Sequence, residues 1–322
     1  MSFKYYRDVD RTPVNENDFL KINNTQFSRL CCGLPKGGLV LMSGLRGQGK
    51  STFLGQVKLD LIDNGYKGLE FSLEMSNKKT LQWTILQACG KDNLKSRQTS
   101  NGKTFYEPKS EFIEEKIIDW IGEKLELDDN ETFNAKKIEK QIIARLESCH
   151  DIDFCIIDNM MRLDIGEYGT DKLLAQIKFA KTITDICQKK NICLILVIHP
   201  TKVLTLPRLD NLAGAGELLN LASLVLILHK VNTDFRVKQK QVFNFSDSHP
   251  LMQYNTLLEI AKDRDFGNDD SLIGLYFEEE SKRFLENKGE NYHYGWEEKP
   301  KQSRIDLEEV SDFDDELFGR PF

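Results

Sequence analysis

The chain has 322 residues, 40% of them hydrophobic and 30% charged, with a formal net charge of −7. This is the make-up of a globular protein with a sizeable core, and it excludes collagen-like, disulfide-scaffold and membrane-spanning architectures. The charge is uneven: residues 306–322 carry seven acidic side chains against one arginine, so the body of the chain is nearly neutral and can still hold a local basic groove for nucleic acid.

The first residues, Met1 to Arg7, contain no apolar segment of the signal-peptide kind, and the longest apolar run, near residues 224–228, is far too short for a bilayer. A cytosol-like, cytoplasmic location is the expectation. Residues 1–36 are polar, punctuated by Pro13 and Pro35, and read as an arm with Phe19, Leu20 and Phe27 available to pack on a core or a neighbour. The seven cysteines have no metal-ligand spacing, and the adjacent Cys31 and Cys32 suit no structural disulfide, so reduced, buried thiols are expected.

From about residue 37 the pattern becomes strand, helix, strand. The apolar run Leu39-Val40-Leu41-Met42 leads directly into Gly44-Leu45-Arg46-Gly47-Gln48-Gly49-Lys50-Ser51, a complete G-x-x-x-x-G-K-S phosphate-binding loop. Three glycines let several backbone N–H groups point into one concavity, and a helix beginning near Lys50 adds the positive end of its dipole. Lys50 should reach the β- and γ-phosphates of ATP, and the Ser51 hydroxyl suits a Mg2+ ligand position; Thr52 reads as the helix start. A glycine-rich turn without a ligand is the bland alternative.

Residues 68–74 read as the second strand, closed by Glu74. A carboxylate there suits a general base for water, although a solvated strand-edge glutamate has the same pattern. Residues 92–109 read as loop, and residues 112–127 show helical spacing of Ile113, Ile117, Ile118 and Ile121. The third strand, residues 154–158, ends in Asp158, a magnesium partner for the phosphate loop or an ordinary turn starter. A helix at about 171–189 precedes the strand 192–198, after which His199 is either a γ-phosphate contact or a satisfied strand-end histidine. Residues 221–228 read as a further buried strand. Residues 256–262, 272–277 and 283–285 follow as a compact antiparallel extension, while 231–255 has no assigned role. Continuous apolar runs alternating with amphipathic helices indicate an α/β fold, a mostly parallel sheet flanked by helices on both faces.

Several segments together carry a family resemblance: residues 71–76, residues 156–159, the strand ending in His199, residues 213–218 leading into the next strand, and Lys262-Asp263-Arg264. In order and spacing this set resembles the ATPase core of the DnaB-type (superfamily 4) replicative helicases, including the helicase halves of phage primase-helicases and Twinkle, over about residues 27–286. The resemblance implies a RecA-like P-loop NTPase core spanning about 37–290, a homohexameric ring with nucleotide between subunits, and single-stranded DNA in the channel. It implies Glu74 as catalytic base, Asp158 as the acid beside the metal and His199 as γ-phosphate sensor. Lys262 and Arg264 would reach a neighbour's site, Arg264 as arginine finger. The loop 202–216, with Lys202, Arg208, Gly214 and Gly216, would line the channel; solvated loop residues are the alternative. Translocation from 5′ to 3′ in phage or plasmid replication is the corresponding function. The chain is shorter than the larger members, which carry an N-terminal collar or a primase domain.

Residues 291–322 read as a C-terminal region with an acidic tail. Its aromatic end is similar to the tails of bacterial single-stranded DNA-binding proteins and some phage replication proteins, which dock on partners. That similarity implies a contact through Phe322 with a polymerase, primase or other replication protein. Two other functions fit the same motifs: a RecA- or RadA-like recombination ATPase that forms filaments, and a nucleotide-switched replication scaffold with slow hydrolysis.

Overall fold

The computed structural model describes residues 5, 7, 11–129, 133–148, 151–200, 205–212 and 216–297. In chain order the elements are β1 (Phe19–Leu20), α1 (Thr25–Cys31), β2 (Leu34–Pro35), β3 (Leu39–Ser43), α2 (Lys50–Asp63), β4 (Gly68–Ser72) and α3 (Asn77–Cys89). Then come β5 (Leu94–Gln98), β6 (Thr104–Pro108), α4 (Glu111–Ile121), β7 (Leu125–Leu127), α5 (Ala135–Ser148), β8 (Phe154–Asp158) and α6 (Lys172–Lys189). The last are β9 (Cys193–Val197), α7 (Gly216–Leu221), β10 (Leu224–Lys230), α8 (Thr233–Val242), β11 (Thr256–Asp263), β12 (Ser271–Phe277) and β13 (Phe284–Leu285).

Nine strands form one sheet in the order β13-β12-β11-β10-β3-β9-β8-β4-β7. From β10 to β7 every pairing is parallel, and the three strands beyond β10 are antiparallel. Strands β3, β8 and β9 are buried at every position, as continuous Leu/Ile/Val/Phe runs require when helices cover both faces. One core lies between the sheet and α5, α6 and α7; the other lies under α1 and α2. The expected parallel sheet with an antiparallel extension is therefore present.

Residues 19–35 do more than lead in. Phe27 and Leu20 are fully buried in the core with Val40, Met42 and Phe53. At the other end of the described chain, Tyr294 is buried against α2, α3 and α4, and the Trp296 indole N–H donates to the Ala88 carbonyl.

Three sequence expectations are corrected. Residues 92–109 contain the hairpin β5–β6, whose strands expose most of their side chains and so lack the apolar alternation by which strands are read. The helix in 112–127 stops at Ile121, where Gly122 turns the chain with φ +46° into β7. The strand expected at 221–228 starts at Leu224: Leu218 and Ala222 face the core from α7 and the turn after it, so the apolar residues before Ser223 serve a helix.

Candidate nucleotide-binding site

Neighbouring parallel strands end on one edge of the sheet, and β3, β9, β8 and β4 are consecutive there. The register puts Ser72 level with Asp158 and Met42 level with Val197, so Gly44–Ser51, His199, Asp158 and Glu74 converge beyond the carboxyl ends of four strands. An open cleft of about 1150 Å³ there is lined by the phosphate loop, Glu74, Met75, Trp83, Arg162 and His199, and Asp158 lines a smaller pocket that shares Ser51, Met75 and Trp83 with it.

The loop between β3 and α2 has the expected cradle shape. Gly44, with φ +145°, lies where a Cβ would sit 2.6 Å from the Leu228 carbonyl oxygen, so a side chain there would collide with backbone. Gly47 and Gly49 take φ +77° and +93°, and Gly49 caps α2. The Gln48 side chain accepts from the Leu45 N–H at 3.2 Å and braces the loop from within. Lys50 is 7% exposed and donates its ammonium to the Gly44 and Leu45 carbonyls at 2.9 and 3.1 Å. Burial lowers its pKa, opposed by the nearby Asp158 and Glu74 carboxylates. Arg46 is exposed at the cleft, and Thr52, largely buried in the first turn of α2 with its carbonyl accepting from Gln87, also lines it.

Asp158 is buried, and this raises its pKa to about 6; Glu74 and Glu70 push the same way, while a hydrogen bond from Ser51 and the Lys50 charge oppose them. Its Oδ1 has no hydrogen-bond partner. An unpaired buried carboxylate oxygen beside a hydroxyl is a fit for a divalent cation that takes its remaining ligands from phosphate and water. Among the described residues no cluster of three acidic, histidine or cysteine side chains could hold a metal ion by itself.

Glu74 and His199 are held by a residue to which sequence reasoning assigned no role. The Asn159 amide nitrogen lies 2.5 Å from Glu74 Oε1 and 3.0 Å from His199 Nε2. His199 has a lowered pKa, chiefly from burial and then from Lys50, with Glu74 opposing and Arg46 adding a little, which favours the neutral imidazole. Trp83 and Arg162 were also missed. Trp83 projects from α3 into the cleft beside Met75, and Arg162 follows Asp158 by four positions; only the tertiary arrangement brings them together.

The model of the DnaB-like helicase C-terminal domain family matches residues 20–286. The chain belongs to this family. A DnaB-like replicative helicase, solved with its interactions with primase, is similar at TM-score 0.65 and 17% identity, over 83% of this chain and 61% of that one. A second solved structure, an ATPase domain, is similar at TM-score 0.63 and 17% identity, over 84% of this chain and 92% of that one. At this identity the likenesses carry the fold, which is that of the RecA-like DnaB domains. The chain spans about three fifths of the length of the first of these relatives, and no curated protein matches it in sequence.

The remaining candidate residues of this DnaB-like domain lie away from the cleft. Lys262 stands near the end of β11, which runs antiparallel to β10 with Lys262 opposite Val225, and Arg264 follows the strand, its N–H donating to the Ser223 carbonyl. Arg264 therefore sits at the amino ends of the parallel strands, roughly 13 Å along the strand axis from the edge that carries the phosphate loop, and Lys262 roughly 7 Å from it. Lys262 Nζ donates to the Leu219 carbonyl at 2.5 Å and Arg264 donates to the Asn220 carbonyl, so both cap the last turn of α7.

Arg208, expected to face DNA, is otherwise engaged. Its guanidinium pairs with Asp270, lies 3.2 Å from Glu259 Oε1 and stacks 4.9 Å from the Phe243 ring centre. Glu259 and His229 are both 0% exposed and share a 2.7 Å hydrogen bond. Residues 231–255, unassigned from sequence, build the cover over this pair: α8 and the following turn contribute Phe235, Phe243 and Met252. Gly216 begins α7 with open space around it. Lys202, Gly214 and Phe322 lie outside the described residues. Among the described residues no helix is long and apolar enough to cross a membrane.

Proposed function

We propose that this chain is the motor of a replicative DNA helicase that hydrolyses ATP, translocates 5′ to 3′ on single-stranded DNA and works as a homohexameric ring in the cytoplasm, in phage or plasmid replication. One observation carries the reading. The phosphate loop, Glu74, Asp158 and His199 meet at one edge of the sheet, while Lys262 and Arg264 lie away from it and cap α7, so that they would serve a neighbour's site and not their own.

The loop N–H groups and Lys50 hold the β- and γ-phosphates. Ser51 and Asp158 would hold a Mg2+ ion, which supplies neutralisation of phosphate charge. Glu74 orients a water and takes its proton as the water oxygen bonds to the γ-phosphorus and the β–γ bridging bond breaks, leaving ADP and phosphate. Arg264 of a neighbouring subunit stabilises the charge on the transferred group, which makes hydrolysis depend on assembly. His199 touches the γ-phosphate and passes its loss to the loop that follows, which includes Lys202 and Gly214 as DNA contacts. The acidic tail, through Phe322, recruits a replication protein such as a polymerase or primase.

The test is steady-state ATP hydrolysis with and without single-stranded DNA for wild type, Lys50→Ala and Glu74→Gln, followed by strand displacement on a forked duplex. DNA-stimulated hydrolysis that both substitutions abolish is expected. Hydrolysis indifferent to DNA would overturn the motor reading.

A further inference from the structure

Asn159 sits between the two groups whose chemistry must be timed. Its Oδ1 accepts from the Met161 N–H at 2.9 Å, which fixes the amide so that its NH2 faces Glu74 and His199. That NH2 has two hydrogens and two partners, one carboxylate oxygen and one imidazole nitrogen. His199 Nε2 is then an acceptor, and the ring carries its proton on Nδ1. Glu74 Oε1 and His199 Nε2 are themselves 3.8 Å apart, so the amide is the wedge that joins them. At 1% exposure Asn159 has no bulk water to turn to, so its bonds are exchanged with protein or ligand groups only.

Two consequences follow from these bonds. An amide donor on Glu74 occupies a lone pair of Oε1 that would otherwise accept from the attacking water, which keeps that oxygen from its work as a base. An imidazole with an unprotonated Nε2 offers no proton to an anionic phosphate from that atom. To donate, the ring must turn or move its proton, and either change breaks the bond to Asn159.

We infer that Asn159 is a positioning residue that clamps the base to the sensor, restraining Glu74 until His199 turns to a phosphate. The inference rests on the roles proposed above for Glu74 and His199. Engagement of the sensor and release of the base pass through one amide, so hydrolysis stays slow until the γ-phosphate is correctly seated.

The test compares wild type with Asn159→Leu, a near-isostere without donors, and with Asn159→Ala. Each is assayed for ATP hydrolysis with and without single-stranded DNA and by 15N spectra of histidine-labelled protein. The DNA-independent kcat should rise about fivefold, the effect of losing one net hydrogen bond. KM and the DNA-stimulated kcat should stay at wild-type values, so the stimulation ratio falls. In wild type the His199 spectrum should show the Nδ1–H tautomer with a hydrogen-bonded Nε2, and in the variants that Nε2 signal should shift. If both rates fall together with their ratio preserved, the clamp is wrong. A wild-type His199 carrying its proton on Nε2 also overturns it, and that measurement needs no variant to fold. Wild-type hydrolysis by Glu74→Gln in the same assay would instead remove the functional reading, leaving the tautomer result to stand by itself.

Discussion

Replacing Arg208 with methionine tests whether this loop arginine serves the fold or the DNA. Methionine keeps most of the packing on Phe243 but leaves Glu259 buried without its cation. The Arg208–Glu259 contact lacks hydrogen-bond alignment, since Glu259 Oε1 has no partner by that criterion, so the arginine acts there by neutralising charge. Removing one member of a buried pair costs about 3–5 kcal/mol. Arg208 is 28% exposed at its side chain, so solvent screening reduces the expected loss to about 2–3 kcal/mol. For a domain of this size that is a fall in Tm of about 5 °C. Because Glu259 is wholly buried, the loss should persist in 0.5 M salt, where an exposed pair would be screened at about 4 Å. Glu259→Gln in the same chain should recover at least about 1 kcal/mol, measured as the coupling in a double-mutant cycle. Below its Tm the Arg208→Met protein should bind single-stranded DNA within about twofold of wild type, by fluorescence anisotropy. An unchanged Tm with DNA binding weakened and its salt dependence reduced would refute the structural reading of Arg208 and favour a DNA contact.

Other expectations follow from the same geometry. Asp158, with its pKa raised to about 6, holds its proton more tightly folded than unfolded. Its protonated form therefore supports the fold fully below about pH 4, and that support is lost as pH rises through about 6. Asp158→Asn should then be more stable than wild type at pH 8 by up to about 3 kcal/mol and equal to it near pH 4, in thermal melts with chelator present; the same difference at both pH values would contradict this. Nucleotide addition should change tryptophan fluorescence through Trp83, since Trp120 and Trp296 are packed against Tyr294 and α3 instead; Trp83→Phe should abolish the change. Arg264→Ala should lower hydrolysis about a thousandfold with nucleotide affinity unchanged. Mixing it with Lys50→Ala subunits, whose Arg264 is intact, should restore part of the activity, and no recovery in mixed assemblies would contradict action on a neighbour.

The parts legible in the sequence are those whose physics is local. The phosphate loop needs glycines at fixed positions whatever surrounds it, and Asp158 and His199 declare themselves by standing at the ends of apolar strands. Asn159, Trp83 and Arg162 do not, because their roles arise from strands and helices brought together. A signal for Asn159 did exist: an amide directly after the acid at a strand's carboxyl end lies where a ligand would be. The Arg208 clamp also left a trace in the strand Leu257-Leu258-Glu259-Ile260-Ala261, where a carboxylate among buried apolar residues requires a cation or donor from elsewhere in the chain. The hairpin β5–β6 left none, since polar strands on a surface have no hydrophobic period to read.

The topology also explains why one short helix bears on two sites. In sequence, residues 200–215 connect the nucleotide edge at His199 to α7, and the last turn of α7 is held by Lys262 and Arg264. If those two cations serve a neighbour's nucleotide, turning toward it competes with their bonds to the Leu219 and Asn220 carbonyls. The loop would then lose the fixed end of its helix when the next subunit binds ATP, and regain it when that ATP is spent. On the proposed function, a segment whose start follows its own site and whose end is held by residues that serve the neighbour's would be driven by both, and hydrolysis around a ring would move successive segments in order.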